Sequence, residues 1–409
     1  MHKPNPEAGG GTKAGGGTPG FAGGAGSAPA FSPLSYGRYL HLEQLLSAQE
    51  PVSGLLASGS SADQASPRAP AHDELLFIIV HQSHELWFKQ ILFELDAVLK
   101  ICDRRPIAES DIGLATLRLE RVSSILTLLG EHLRVLETMT PMDFLEFRHY
   151  LSPASGFQSV QFRMVEAKLG LPRRHLESLK TGVFGDFVSD REKAAFEATM
   201  AQPTLLDLVG GWLERTPFLQ TEEFEFWSAY RGAIDEHLAL DAQMIDRHGG
   251  LHPDERKKRL AELERTRQSF MDLFDERKHD ALVADGRRRF SLRALHAALF
   301  IYLYRDQPIL QAPFRFLTQL TRIDELLQSW RAGHAQMVHR MIGIKVGTGG
   351  SSGYEYLRST VHTHTIFGDL CELSSFLLPR SSLPELPAGF IRKLGFWAES
   401  TPVTTPAKP

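Results

Sequence analysis

The chain has 409 residues, 42% apolar and 23% charged, with a net charge of −4 at neutral pH. These ordinary globular values exclude a chain disordered throughout and one that binds nucleic acid through bulk positive charge. Two distant cysteines, Cys102 and Cys371, exclude a disulfide framework, a multi-cysteine zinc site and C-x-x-C-H haem attachment, and fit a reducing compartment.

In chain order, residues 1–33 read as a tail, because 10 of the 34 glycines lie in the first 30 positions. It has too little apolar surface to offset its ordering entropy, so disorder is expected. No apolar run of secretory-signal type follows Lys3, and no later stretch reaches 18 apolar residues, so no membrane span is expected. The stretch from about 49 to 70, rich in Ser, Ala, Gly and Pro, reads as a flexible loop. Between Pro70 and Pro106 there is no Gly or Pro, and Phe77, His81, His84, Phe88, Ile91, Leu95 and Val98 recur at alternating spacings of 4 and 3. That is one face of a long helix, with Asp73 at its start. A second helix is expected over 111–138, with Leu114, Leu117, Val122, Ile125, Leu129, Leu133 and Leu136 on one face. Thr140, Pro141 and Asp143 then carry a cap, a first-turn proline and an acid at the third position, the pattern of a new helix start. Residues 253–283 read as a charged helical insertion with a solvated face and i,i+4 pairs. A last long helix is expected from Pro313 to Gly343, with the stripe Phe316, Leu320, Ile323, Leu327, Trp330, His334, Met337 and Met341. Strand signals are weak, and the fold class is all-α: a multi-helix bundle forming one domain over 34–396, followed by a flexible tail at 397–409.

Two of these helices place a histidine, His81 or His334, on an otherwise apolar stripe. A satisfied core histidine is the ordinary reading of one such position; two invite a site. Ala332, Gly333 and Ala335 flank His334. Glycine costs about 1 kcal/mol in a helix interior, so a close approach is expected there. Small flanks would leave room for a flat macrocycle with imidazole on its iron, though they also serve plain helix contact. His81, His84 and Glu85 invite a zinc reading, but their order matches neither zincin motif. His362 and His364, two apart, would face apart on a helix and receive no role. Phe144 and Arg148 share a helical face, and the planar guanidinium suits a carboxylate held bidentately or an ordinary ion pair. Residues 347–353, Gly-Thr-Gly-Gly-Ser-Ser-Gly, form neither a phosphate loop nor a dinucleotide fingerprint. They read as a linker or as a loop closing over a small polar ligand. Trp212, Arg215 and Pro217 read as packing or as a surface binding spot.

The residues named so far, in order and at their separations, strongly resemble the tryptophan 2,3-dioxygenase family, its longer animal form more than its compact bacterial one. The carrying blocks are Ser35-Tyr-Gly-Arg-Tyr-Leu40, His72-Asp-Glu through His81-Gln82 to Gln90, and Leu136-Glu-Thr-Met-Thr-Pro through Phe144 to Arg148. Ser152 to Ser159, and Met337 to Gly343 running into Gly347 to Gly353, complete them, and the likeness spans about 34–380. The resemblance implies a cytoplasmic homotetramer with haem b, opening the indole ring of L-tryptophan with O2 to give N-formyl-L-kynurenine. It implies His334 as iron ligand, His81 as acceptor of the indole N–H, Arg148 on the substrate carboxylate and Thr348 on its ammonium end. Phe77 and Phe144 would wall the indole pocket, and Ser155, Gly156 and Trp330 would contact haem. Tyr36, Tyr39 and Leu40 match a segment that reaches a neighbouring subunit's site. Trp212, Arg215 and Pro217 match part of a second, non-catalytic tryptophan site, whose other side near Arg105 to Glu109 matches poorly. Ala332-Gly333 departs from the bulkier residues of relatives, and His84 is given no role. A substituted tryptophan as substrate, an oxindole product, or a non-catalytic sensor stay open as alternatives.

Overall fold

The structure is a computed structural model that describes residues 34–56, 69–177, 188–216, 225–343, 345 and 353–394. The expected tails at 1–33 and 397–409 lie outside the described residues, as do 57–68 of the expected loop, Pro217 and Thr348. Among the described residues every regular element is helical and no strand occurs, as the all-α reading expects. No helix there is long and apolar enough to cross a membrane.

Contacts divide the chain into two compact units, 1–50 and 51–409. In the first, Tyr36–Tyr39 and Leu42–Leu46 are short helices, and Ser35 caps the former by accepting from the Arg38 N–H. Tyr36, Tyr39 and Leu40 are 76%, 68% and 40% exposed.

In the second unit the principal helices are α1 (Glu74–Cys102), α2 (Glu109–Leu136), α3 (Pro141–Phe147), α4 (Val160–Leu169), α5 (Leu205–Glu214), α6 (Phe226–Arg247), α7 (Pro253–Asp272), α8 (Glu276–Ala284), α9 (Leu292–Leu303), α10 (Pro308–Ile342) and α11 (Gly353–Thr363). α2 packs against both α1 and α10, while α4 packs on α1 and α11 on α10. The shared core holds Ile91, Leu95 and Val98 of α1, Leu119, Val122 and Leu129 of α2, and Leu320, Ile323 and Leu327 of α10, all essentially buried. A smaller apolar cluster, with Val80, Leu133, Leu136, Phe147, Met337 and Met341, continues from it along the same three helices and α3. The site is built there.

Several expectations shift. α1 starts after Asp73, as its pattern predicts. Within the expected loop, Val52–Leu56 is helical, and the Val52 and Ser53 N–H groups donate to the buried Glu74 carboxylate at 2.8 and 3.1 Å. On α2, Leu114 and Leu117 point outward, 42% and 59% exposed, whereas Ile112, Ala115 and Leu119 are buried. Stepping back from Val122 by threes and fours reaches 119, 115 and 112, so the two outward leucines lie off the stripe. The charged segment is two helices, α7 and α8, parted at Leu273–Asp275, where Asp275 caps α8 through the Lys278 N–H. α10 begins at Pro308 rather than Pro313: Pro308 takes the tolerated first-turn position and Pro313 is absorbed inside the helix. It ends on Gly343, whose φ of 61° and ψ of −133° lie where side chains are strained, with its N–H donating to the His339 carbonyl at 2.8 Å.

Candidate active site

α3 shows how locally the site is specified. Thr140 and Asp143 form a capping box, each side chain taking the other's backbone N–H at 3.2 to 3.3 Å, with Pro141 at the first turn. This fixes where α3 starts. Phe144 and Arg148 then fall one turn apart, the Arg148 N–H bonding the Phe144 carbonyl.

One cavity brings together Phe77 and His81 of α1, Phe144 and Arg148, Ser155 and Gly156, and Trp330 and His334 of α10. Ser155 caps a short 3-10 turn, Gly156–Gln158, by accepting from Phe157 N–H. The Phe77 ring lies 4.1 Å from His81, 5.9 Å from Phe144 and 5.6 Å from Phe147. These rings form one apolar wall of a size that suits an aromatic guest. Leu133, Leu136, Met139, Met337 and Met341 supply further apolar lining. Thr348 lies outside the described residues, and Tyr36, Tyr39 and Leu40 belong to the first compact unit.

The two histidines on the stripes are both neutral near pH 7. His81 has an exposed ring because it faces the cavity, yet protein surrounds that cavity. Burial therefore lowers its pKa, only partly offset by its bond to Phe77 and by Glu85. Its Nδ1 donates to the Phe77 carbonyl at 2.7 Å, which leaves the Nε2 lone pair as an acceptor. For His334, burial and then the proximity of His81 and His84 push the pKa down to about 4. Its Nδ1 is buried with no hydrogen-bond partner among the described residues. A Cβ on Gly333 would meet only Leu133 Cδ1, at 3.6 Å, an ordinary contact. Among the described residues no protein group thus accounts for the close approach expected at that glycine.

Sequence reasoning missed an ionic wall of the same cavity. Glu166 of α4, fully buried, accepts from Arg163 Nη1 and Arg331 Nη2, each at 2.7 Å. Arg331 also donates to the His364 carbonyl at 3.2 Å. Burial alone would raise the Glu166 pKa, but Arg163 and Arg331 outweigh it and hold the carboxyl below its usual range. Burial pushes His364 down to about 4, so it is neutral. Two guanidinium charges therefore face one carboxylate, and Arg163 Nε has no partner among the described residues. The unpartnered guanidinium nitrogen on this wall suits an anionic group. His362 and His364 do face apart, but His364 lines the cavity. The one available signal was an Arg-x-x-Glu step in a largely apolar helix; the distant partner, Arg331, sits 165 residues away.

Trp212 is half-buried and packs edge-on against Phe316 at 5.6 Å, while Arg215 is exposed just past α5. Pro217 lies outside the described residues, and the second-site expectation at these three positions gains no geometry.

The family model of tryptophan 2,3-dioxygenase matches residues 25–377. A tryptophan 2,3-dioxygenase of Bdellovibrio bacteriovorus is 47% identical over 90% of the chain and 99% of its own length. One from Xenopus tropicalis is 46% identical over 86% of the chain and 84% of its own. One from Dictyostelium discoideum is 44% identical over 86% of each. Bacterial and animal relatives match to the same degree.

Proposed function

The chain belongs to the tryptophan 2,3-dioxygenase family, and from that premise we propose that the cavity holds haem b on His334 and L-tryptophan between His81 and Arg148. The protein is a haem-dependent enzyme that oxidises tryptophan with O2 to N-formyl-L-kynurenine, at the head of the kynurenine route. One observation carries the residue assignment: the neutral His81 and His334 and the guanidinium of Arg148 line one and the same cavity, together with aromatic walls.

The residues fit the cofactor. A neutral His334 offers a lone pair, the apolar lining suits a macrocycle, and the guanidinium groups of Arg163 and Arg331 suit its acidic side chains. Ser155, Gly156 and Trp330 lie where they can contact it. When bound, haem b supplies a ferrous iron that activates O2.

The chain's own residues do the rest. His81 Nε2 accepts the indole N–H, and Phe77 and Phe144 hold the ring by contact. A substrate without that N–H would leave a polar group of the site unpaired, which disfavours it. Arg148 takes the carboxylate as a fork, and Thr348 of the Gly-rich loop takes the ammonium end. Orientation of the ring, rather than proton transfer by an acid or base, is what these residues supply. Exposed Tyr36, Tyr39 and Leu40 fit a segment covered by a neighbouring subunit of a cytoplasmic homotetramer. Residues 34–396 then read as one catalytic domain.

The test is direct. The haem-loaded protein is reduced, given L-tryptophan in air, and followed for the near-ultraviolet absorbance of N-formylkynurenine. An oxindole product would move the reading to monooxygenation, and no turnover would move it to a sensor. His334→Ala is expected to lose or misligate haem; an unchanged haem spectrum and occupancy would remove His334 as the ligand.

A further inference from the structure

Four buried polar atoms on rings in mutual contact lack hydrogen-bond partners among the described residues: His84 Nε2, His132 Nδ1, Trp330 Nε1 and His334 Nδ1. Ring centroids run in a chain, 5.5 Å from His132 to His84, 6.1 Å from His84 to Trp330 and 5.2 Å from Trp330 to His334. Orphaned buried groups are rare, and the three on His84, Trp330 and His334 ask for a shared partner. Their chemistry is complementary. Trp330 Nε1–H only donates. His334 Nδ1 must carry a proton once its other nitrogen binds iron, so it also donates. His84 Nδ1 donates to the Val80 carbonyl at 2.8 Å, and burial holds the ring neutral, with a pKa of about 4. Its Nε2 is therefore an acceptor. The Leu129 carbonyl also lies beside this ring, and Nε2 has no partner in hydrogen-bond geometry among the described residues.

We propose that His84 is a positioning residue for the haem ligand: its Nε2 is the acceptor for the His334 Nδ1–H, through one buried water shared with the Trp330 Nε1–H. A metal-bound histidine almost always donates its second N–H, which fixes its ring and makes it a stronger ligand. A buried water with about three hydrogen bonds is an ordinary constituent of such a site. His84 is 8% exposed and therefore belongs to the interior of this cluster rather than to solvent. The inference rests on His334 being the iron ligand.

The test uses the holoenzyme in its ferrous form. The iron–histidine stretching band is recorded by resonance Raman for wild type, His84→Phe and His84→Gln. His84→Phe, which keeps volume and removes the acceptor, shifts the band to lower frequency and speeds haem transfer to apomyoglobin by roughly 10- to 100-fold. His84→Gln, whose amide oxygen reaches the position of Nε2, restores both. Equal behaviour of the Phe and Gln variants, or a band unmoved by either, overturns the proposal. Should the Phe variant not fold, the His334 Nδ1–H proton resonance of the wild-type ferrous protein decides: slow exchange with solvent supports a buried acceptor and rapid exchange refutes it. A wild type with no iron–histidine band would instead overturn His334 as the ligand.

Discussion

Removing the guanidinium at Arg148 is expected to separate carboxylate binding from ring binding. Arg148 sits immediately after α3, half-buried on the cavity wall, one turn from Phe144. A fork of two charge-assisted hydrogen bonds is worth about 1.5–3 kcal/mol each, and partial exposure selects the lower end. Two at the lower end give about 3 kcal/mol, or roughly 100-fold in kcat/KM at about 1.4 kcal/mol per decade. Arg148→Ala is therefore expected to lower kcat/KM for L-tryptophan by about that factor. Tryptamine keeps the indole and the ammonium but has no carboxylate, so its kcat/KM is expected to change by less than about threefold. Arg148→Lys, which keeps the charge and loses the fork, falls between wild type and Ala for L-tryptophan. Steady-state rates of ring opening with both substrates measure this. An equal loss for tryptophan and tryptamine would refute the assignment, because it would mean that Arg148 shapes the cavity rather than binding the carboxylate.

Glu166→Gln leaves Arg163 and Arg331 buried without their counter-charge, so urea unfolding is expected to show a loss of about 3–5 kcal/mol; a change under about 1 kcal/mol would contradict the ionic wall. The same carboxyl has a pKa held below its unfolded value of about 4.3, so its contribution is fully present above that pH and fades as pH falls through the folded pKa. Stabilities of wild type and Glu166→Gln, measured from pH 7 down to about pH 3, are therefore expected to converge toward the acid end. Thr140→Ala removes the capping box of α3 and is expected to cost about 0.5–2 kcal/mol of stability, read by thermal unfolding, with a raised KM for L-tryptophan because Phe144 and Arg148 lose their fixed start.

What the sequence disclosed follows from how far each signal travels along the chain. α1 and α3 were readable because their punctuation is local: Asp73 and a proline-free run for one, Thr140, Pro141 and Asp143 for the other. Periodicity alone placed His81 and His334 inward, and both line the cavity. The start of α10 was misplaced because two prolines compete as its first turn, and the burial of Leu310, which lies between them, goes with Pro308. Leu114 and Leu117 misled because leucine alone does not say which side of a helix meets the core. The ionic wall was invisible for another reason: Glu166 and Arg331 are partners only after α4 and α10 have been brought together. His84 was given no role, and its interest lies in His132 and Trp330, neighbours from two other helices, with His334 beyond Trp330.

The final residue of α10's cap has a meaning for inheritance. Gly343 holds a backbone conformation that costs other residues on the order of 1–3 kcal/mol. Every missense change to a glycine codon installs a side chain there. The damage would not fall on the thirty-five-residue helix behind it, which is anchored along its length. It would fall on the turn that ends the helix, where the Gly343 N–H meets the His339 carbonyl. A gene for this protein thus has a weak codon directly after Met341 and Ile342 of the cavity wall, where a mutation strains the end of α10 and leaves its packed length intact.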